Sequence, residues 1–240
     1  LLQITDSQSL IRSDQWKSGV SNTTPSYPEA ILSSNIRSLI KDVETNPSAM
    51  NVQSLLETSE NEFQYIVKYA DEIKSQIHGS EISFVVNRNI NYTNICSFKC
   101  NFCAFSKGKG HDDLRGMPYN ISEEEIIRRT KEAIDRGATE VCLQGGIHPK
   151  FSGETYLDIV RAIRSVSDSI HIHAFSPLEI DHGRKTLNIS VKDFLIELKN
   201  VGLNSLPGTA AEILHDDIRA IICPDKLNSN EGVEIIKAAH

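Results

Sequence analysis

From Ile82 to the last residue the chain repeats one unit: a short apolar run, a loop, then an amphipathic stretch of helical period. No other feature restricts the fold as much. The apolar runs are Ile82 to Asn87, Thr139 to Leu143, Ile170 to Ala174 and about Leu203 to Leu206. The first helical stretch starts at Ser122, whose hydroxyl can cap while Glu125 reaches back. It buries Ile126, Ile127, Thr130, Ala133 and Ile134 before Gly137 stops it. The second carries Tyr156, Ile159, Val160, Ile163 and Val166 on one face, and the third, Ser190 to Asn200, buries Val191, Phe194, Leu195 and Leu198. Strands alternating with helices through short connections predict a parallel sheet covered by helices.

The strands distinguish an open sheet from a barrel. In the third run Ile170, Ile172 and Ala174 alternate with His171, His173 and Phe175; in the second, Val141 and Leu143 alternate with Glu140, Cys142 and Gln144. An open doubly wound sheet would be apolar on both faces. One apolar and one polar face suits a barrel whose polar side lines a lumen. The expected fold class is therefore α/β, a partial (βα) TIM-type barrel truncated after about four βα units, half of a complete eight-stranded one. The chain begins at Leu1 and stops at His240 inside the helical pattern of Val233, Ile236 and Lys237, which reads as a fragment.

Residues 1–60 are rich in Ser, Asn, Thr and Gln and broken by Pro25, Pro28 and Pro47, so they read as a linker with short helical pieces such as Ile31 to Val43. Residues 61–240 form the barrel part, led by an amphipathic helix in which Phe63, Ile66, Val67, Ala70, Ile73 and Ile77 recur before Gly79. Composition adds exclusions. With 39% hydrophobic and 24% charged residues the chain suits a soluble domain, and a net charge of −7 argues against nucleic acid as the main partner. No apolar run reaches membrane-spanning length. Five cysteines, three of them in one loop, point to a reducing, cytoplasmic compartment.

In a barrel the chemistry gathers where the loops follow the strands. The first such loop holds Cys96, Cys100 and Cys103. Thiolates this close can share one iron–sulfur cube, and three cysteines leave the fourth iron open. Structural zinc, with His111 as the nearest fourth ligand, and thiols that merely neighbour one another both stay open on spacing alone. A disulfide suits an odd cluster poorly. Cys142 and Cys223 read as small buried hydrophobes. The other loops are Gln144-Gly145-Gly146-Ile147-His148-Pro149, Phe175-Ser176-Pro177-Leu178-Glu179 and Pro207-Gly208-Thr209-Ala210-Ala211-Glu212.

The cysteine spacing, with Phe102 before the last thiol, resembles the signature of radical S-adenosylmethionine (SAM) enzymes. Together with Asn87 to Cys96, Gln144 to Pro149, His171 to Pro177 and Ser205 to Leu214, it is similar to the branch that holds FO synthase subunit 2 and two menaquinone-pathway enzymes, aminofutalosine synthase and dehypoxanthine futalosine cyclase. Gly208-Thr209-Ala210-Ala211-Glu212 and Ile222-Cys223-Pro224-Asp225-Lys226 look like the FO synthase side. The similarity covers about residues 62–240. It implies a radical SAM barrel and transfer of the 4-hydroxybenzyl group of L-tyrosine to 5-amino-6-(D-ribitylamino)uracil, in deazaflavin (coenzyme F420) biosynthesis.

That resemblance also implies roles. Cys96, Cys100 and Cys103 would hold a 4Fe-4S cluster, and SAM would chelate the open iron. Phe102 would lie near the adenine or plug the loop against the sheet. Gly145 and Gly146 would let the backbone approach the cofactor, or make an ordinary tight turn. Glu179 and Glu212 would contact SAM hydroxyl or amino groups, or complement a helix dipole. His171 and His173 would touch substrate or pass protons, or be hydrogen-bonded core histidines. The implied partners are the two substrates, FO synthase subunit 1 or a module fused to it, and a one-electron donor, with the first sixty residues as the inter-module linker. The family has an aromatic residue where this chain has Gly232. The competing expectations are a menaquinone-pathway enzyme of the same branch and a zinc-stabilised, non-catalytic module.

Overall fold

The computed structural model describes residues 34–58, 60–98, 100–103, 117–208 and 213–240. The chain divides into two compact units, Leu1–Ile82 and Ser83–His240. Among the described residues no helix is long and apolar enough to cross a membrane.

In the first unit the helices are α1 (Ser34–Thr45), α2 (Ala49–Leu56) and α3 (Glu60–His78). Ser48 follows Pro47 and caps α2, its hydroxyl accepting from Asn51 N at 3.1 Å. Tyr69 of α3 donates to Glu44 of α1 at 2.7 Å. Gly79 ends α3 in the left-handed region at φ 63°, its amide bonded to the Ser75 carbonyl at 2.9 Å. The expected piece from Ile31 to Val43 thus runs to Thr45, a second helix follows Pro47, and the amphipathic helix before Gly79 is α3.

The second unit follows the repeat: β1 (Asn87–Asn91), α4 (Glu123–Asp135), β2 (Glu140–Gln144), α5 (Gly153–Arg164), β3 (His171–Ala174), α6 (Pro177–Leu187), α7 (Val191–Val201), α8 (Asp216–Ile222) and α9 (Ser229–Ala239). The sheet order is β1-β2-β3, all parallel, with Asn89 opposite Cys142 and Cys142 opposite His173. Ile90, Val141, Leu143, Ile172 and Ala174 share the buried face, covered by Ile126 and Ala133 of α4, Tyr156, Val160 and Ile163 of α5, and Phe194 and Leu198 of α7. Each large side chain fully buried there contributes about 1.5–3 kcal/mol. Glu140, Cys142, His171 and His173 alternate onto the other, half-buried face, so the two-faced pattern is what the strands adopt.

Several boundaries differ from the sequence-based expectation, among them β3, which begins one residue later, at His171. The first strand is Asn87–Asn91, and Ile82 and Phe84 ahead of it are 82% and 84% exposed. Register decides this: Asn87 stands opposite Glu140, where β2 begins, and Thr139 just before it reaches Val86 only by donating its amide (2.8 Å) and hydroxyl (3.5 Å) to one carbonyl, short of a ladder pair. The second strand begins one residue later than expected and includes Gln144. The stretch from Phe175 to Glu179, expected as a loop, opens α6: Ser176 caps it and Pro177 occupies its first turn. The fourth expected strand is reduced to one parallel bridge, His173 to Ser205. Pro207 follows closely and has no amide hydrogen with which to extend a ladder.

Candidate active site at the carboxyl ends of the strands

The cysteine segment is anchored at both ends. At its root, Thr93 Oγ1 donates to the Tyr119 carbonyl at 2.8 Å, and Asn94 accepts from Tyr119 N at 2.8 Å while donating to the Met117 carbonyl at 3.1 Å. Further along, Asn101 donates from its amide to the Ile222 carbonyl and from its side chain to the Ile221 carbonyl, both at 2.8 Å. The loop is therefore fastened to the end of α8, 120 residues away in sequence.

Between these anchors Cys96, Cys100 and Cys103 are free, half-buried thiols. Cys96 Sγ accepts from Phe98 N at 3.4 Å and from Ile147 N at 3.3 Å. Ser97 returns two hydrogen bonds to the Ile147 carbonyl, at 2.8 Å from its amide and 3.0 Å from its hydroxyl. Burial pushes the Cys100 thiol up to about 11, against the pull of the Lys226 ammonium. Phe102 is 45% exposed, with Lys226 Nζ 5.0 Å from its ring centroid.

After β2, Gly145 and Gly146 are required by crowding. A methyl group on Gly145 would stand 2.3 Å from the Tyr92 ring; one on Gly146 would stand 2.3 Å from the Ile95 carbonyl oxygen and 2.8 Å from Cys96 Cβ. The neighbour pressing on this pair is the first loop itself.

After β3, Phe175 takes the left-handed conformation at φ 70°. Strand alternation predicts its ring on the lumen face with His171 and His173. The turn in the backbone sends it into the core, 5.1 Å from the Tyr156 ring and 6.2 Å from the Tyr92 ring, centroid to centroid. Next come Ser176 and Glu179. Glu179 is only 2% exposed, and both carboxylate oxygens are engaged. Oε2 accepts from Ser176 N at 2.7 Å and Ser176 Oγ at 2.6 Å; Oε1 accepts from Gly145 N at 3.3 Å and from the Tyr92 hydroxyl. Burial raises the Glu179 pKa while these donors pull it back, and burial together with the carboxylate raises that of Tyr92. Four donors around one carboxyl group suit its acceptor-only, ionised form. The side chain is a buried clamp joining the ends of all three strands.

On the lumen face His171 Nε2 and His173 Nδ1 each lie 2.7 Å from Ser205 Oγ, and Glu140 Oε2 is 3.9 Å from His171 Nε2. Cys142 is half-buried beside them, with Gln144 Nε2 at 3.8 Å from its sulfur, whereas Cys223 is buried. Glu212 and His111 lie outside the described residues. Tyr92, Ile147 and Ser205 are site residues that sequence reasoning did not single out. Tyr92 had a usable signal, since it keeps the strand period of Ile90. Ile147 acts through its backbone and carries no signal.

The model of the radical SAM superfamily matches residues 90–240. The chain belongs to the radical SAM superfamily. It is 47% identical over 173 residues to the 5-amino-6-(D-ribitylamino)uracil–L-tyrosine 4-hydroxyphenyl transferase of Archaeoglobus fulgidus, covering 72% of this chain and 48% of that protein. It is 45% identical over 175 residues to the FO synthase of Mycobacterium leprae, covering 73% of this chain and 20% of that protein. This radical SAM chain thus spans about half the length of the first relative and a fifth of the second. Its backbone is similar to that of the FeFe-hydrogenase maturase HydG from Carboxydothermus hydrogenoformans, with a TM-score of 0.62 at 19% identity over 85% of this chain and 45% of that one. Its α/β architecture of parallel strands is accordingly a partial barrel of the radical SAM kind.

Membership implies a 4Fe-4S cluster and SAM. Among the described residues no three His, Cys, Asp or Glu side chains converge on a single ion position. The donor set fits a cube, which takes each thiolate at a different iron corner. The two backbone amides aimed at Cys96 Sγ suit a thiolate, because they stabilise charge on sulfur.

Proposed function

We propose that the protein carrying this chain joins the 4-hydroxybenzyl group of L-tyrosine to 5-amino-6-(D-ribitylamino)uracil, the tyrosine-dependent step of deazaflavin formation. The observation that carries this reading is the 47% identity over 173 residues to a tyrosine 4-hydroxyphenyl transferase.

In this reading Cys96, Cys100 and Cys103 hold the cluster through three irons. When bound, the cluster and SAM supply one-electron cleavage of the sulfonium and a 5′-deoxyadenosyl radical. The chain's own residues hold, orient and exclude. Ile147 N and Phe98 N keep the Cys96 sulfur in place. Gly145, Gly146 and Phe102 form the side toward SAM. Phe151, stacked against His148 with ring centroids 4.6 Å apart, closes the second loop from behind. His171 and His173 serve as the acid–base groups of the substrate chamber. The partners are the two substrates, a one-electron donor, and FO synthase subunit 1 or a module fused to this one.

The test is anaerobic reconstitution of the complete protein, with iron and sulfide expected at about four each and absorbance lost in Cys100→Ala. Adding tyrosine, the diaminouracil, reductant and SAM should then yield 5′-deoxyadenosine and the coupled product. Turnover only with a futalosine-type substrate overturns the assignment, as does stoichiometric zinc without iron.

A further inference from the structure

Ser205 stands between two imidazoles. Its hydroxyl oxygen lies 2.7 Å from His171 Nε2 and 2.7 Å from His173 Nδ1. The register produces this arrangement. His171 and His173 lie two residues apart on β3, which places them on one face about 6.6 Å apart along a strand, and their ring centroids are separated by 6.5 Å. The parallel bridge between His173 and Ser205 sets the hydroxyl beside both rings.

A serine hydroxyl has one hydrogen and two lone pairs. Flanked by two neutral imidazoles, it donates to one ring and accepts from the other. The ring that accepts from Ser205 must carry its own hydrogen on its outer nitrogen. The ring that donates to Ser205 must have a bare outer nitrogen. Those outer nitrogens are His171 Nδ1 and His173 Nε2, and neither has a hydrogen-bond partner among the described residues. One is always a donor and the other always an acceptor, and they exchange roles together.

We propose that Ser205 is a positioning residue that joins His171 and His173 into one acid–base unit, which takes a single proton from an N–H or O–H acid of the substrate. This rests on the reading of the polar face as a substrate chamber. The proton leaves the substrate for the bare His173 Nε2. The hydrogen on His173 Nδ1 passes to Ser205 Oγ, whose own hydrogen passes to His171 Nε2. Only N–H and O–H bonds change, the substrate loses one positive charge or gains one negative charge, and the unit gains one positive charge shared by two rings. A second proton would place two imidazolium rings on either side of one hydroxyl, so the unit accepts one readily and two with difficulty.

The surroundings favour that stoichiometry. Glu140 Oε2, 3.9 Å from His171 Nε2, stabilises one positive charge. Cys142, opposite His173 in the register, has its thiol pushed up by burial and stays neutral. The β1 residues at the same levels, Asn87 and Asn89, are uncharged. Arg164, at the end of α5, is engaged with Asn204 Oδ1 beside Ser205 at 2.6 Å.

The test is long-range 1H–15N correlation of histidine-labelled complete enzyme across about pH 5 to 8. In the unaltered protein the two rings should hold the same tautomer, both carrying hydrogen on Nδ1 or both on Nε2. Ser205→Ala should let each ring choose its tautomer independently, and Ser205→Thr should restore the match. Opposite tautomers in the unaltered protein, or a match that survives in Ser205→Ala, overturns the proposal without needing any variant to be active. In turnover assays Ser205→Ala should lower kcat by on the order of 100-fold and shift its acid limb, with KM changed less than about threefold. If the unaltered enzyme shows no hydroxyphenyl transfer, the functional reading fails while the tautomers still decide the pairing.

Discussion

Tyr92 donates its hydroxyl hydrogen to the buried carboxylate of Glu179, across 87 residues of sequence. The same oxygen accepts the Gly145 amide, and the other oxygen of Glu179 accepts both Ser176 donors. One side chain therefore fixes the chain where it leaves β1, β2 and β3. A buried carboxylate stays ionised only if its acceptors are filled, so the four donors and the charge depend on each other.

Removing one partner should show that dependence. Tyr92→Phe keeps the ring and deletes one donor, and is expected to cost about 1–3 kcal/mol. Glu179→Ala strands two hydroxyls and two amides and should cost more. In urea unfolding the double variant should be less destabilised than the sum of the singles. Strict additivity would sink the idea of a shared clamp.

Gly146 should tolerate no side chain. Gly146→Ala sets a methyl 2.3 Å from the Ile95 carbonyl oxygen and 2.8 Å from Cys96 Cβ, so the cysteine loop must move. The expected result is a loss of about 1–3 kcal/mol and lower iron content after reconstitution. Gly232→Ala is the control. It lies inside α9 with nothing within 4 Å of the new methyl, and should stabilise by up to about 1 kcal/mol. Equal iron loss in both would show that the crowding at Gly146 has no bearing on the cluster.

Arg164 should resist replacement by lysine. Its guanidinium donates to the carbonyls of Gly202 (2.6 Å), Ser167 (3.1 Å) and Ile170 (2.7 Å) and to Asn204 Oδ1 (2.6 Å). Lysine supplies a point charge in place of a planar fork. Arg164→Lys is expected to lose about 1–3 kcal/mol and to loosen the pairing at Ser205, next to Asn204. Calorimetry reports the first effect, and broadened histidine resonances report the second.

Stability should fall in acid through Glu125. Hydrogen bonds from Arg128 and then Arg129 hold its carboxyl down to about 2, below the usual 4.5. A depressed folded pKa gives a contribution that is present above 4.5 and lost as the pH falls toward about 2. The pairs are exposed and salt will screen them. Glu125→Gln should therefore flatten the acid arm of thermal unfolding between those pH values, and an unchanged arm would assign it to other carboxylates.

Local patterns in the sequence carried much of the architecture. Ser122 and Glu125 mark the start of α4, Gly79 marks the end of α3, and period-two alternation marks β2 and β3. These signals need only neighbours a few residues away. The start of β1 was misread because Ile82 to Val86 is the more apolar run, whereas strand position follows from which residues find a partner on β2. The capping signal of α6, Ser176 with Pro177 and Glu179, is present in the sequence, but the apparent strand continued through Phe175 and hid it. Only the left-handed backbone at Phe175 ends that strand, and a residue type rarely found there gives no warning of it.

The sequence by itself determined the order of parallel strands and helices, a polar and an apolar sheet face, and three thiols spaced for one cluster. Each of these is a matter of period or spacing along the chain. The tertiary structure decided which loops meet: Glu179 as an internal clamp, Gly145 and Gly146 pressed by the first loop, and Ser205 between two histidines. Such contacts depend on strand register, and register is set by pairing between segments dozens of residues apart, where no single segment records its partner.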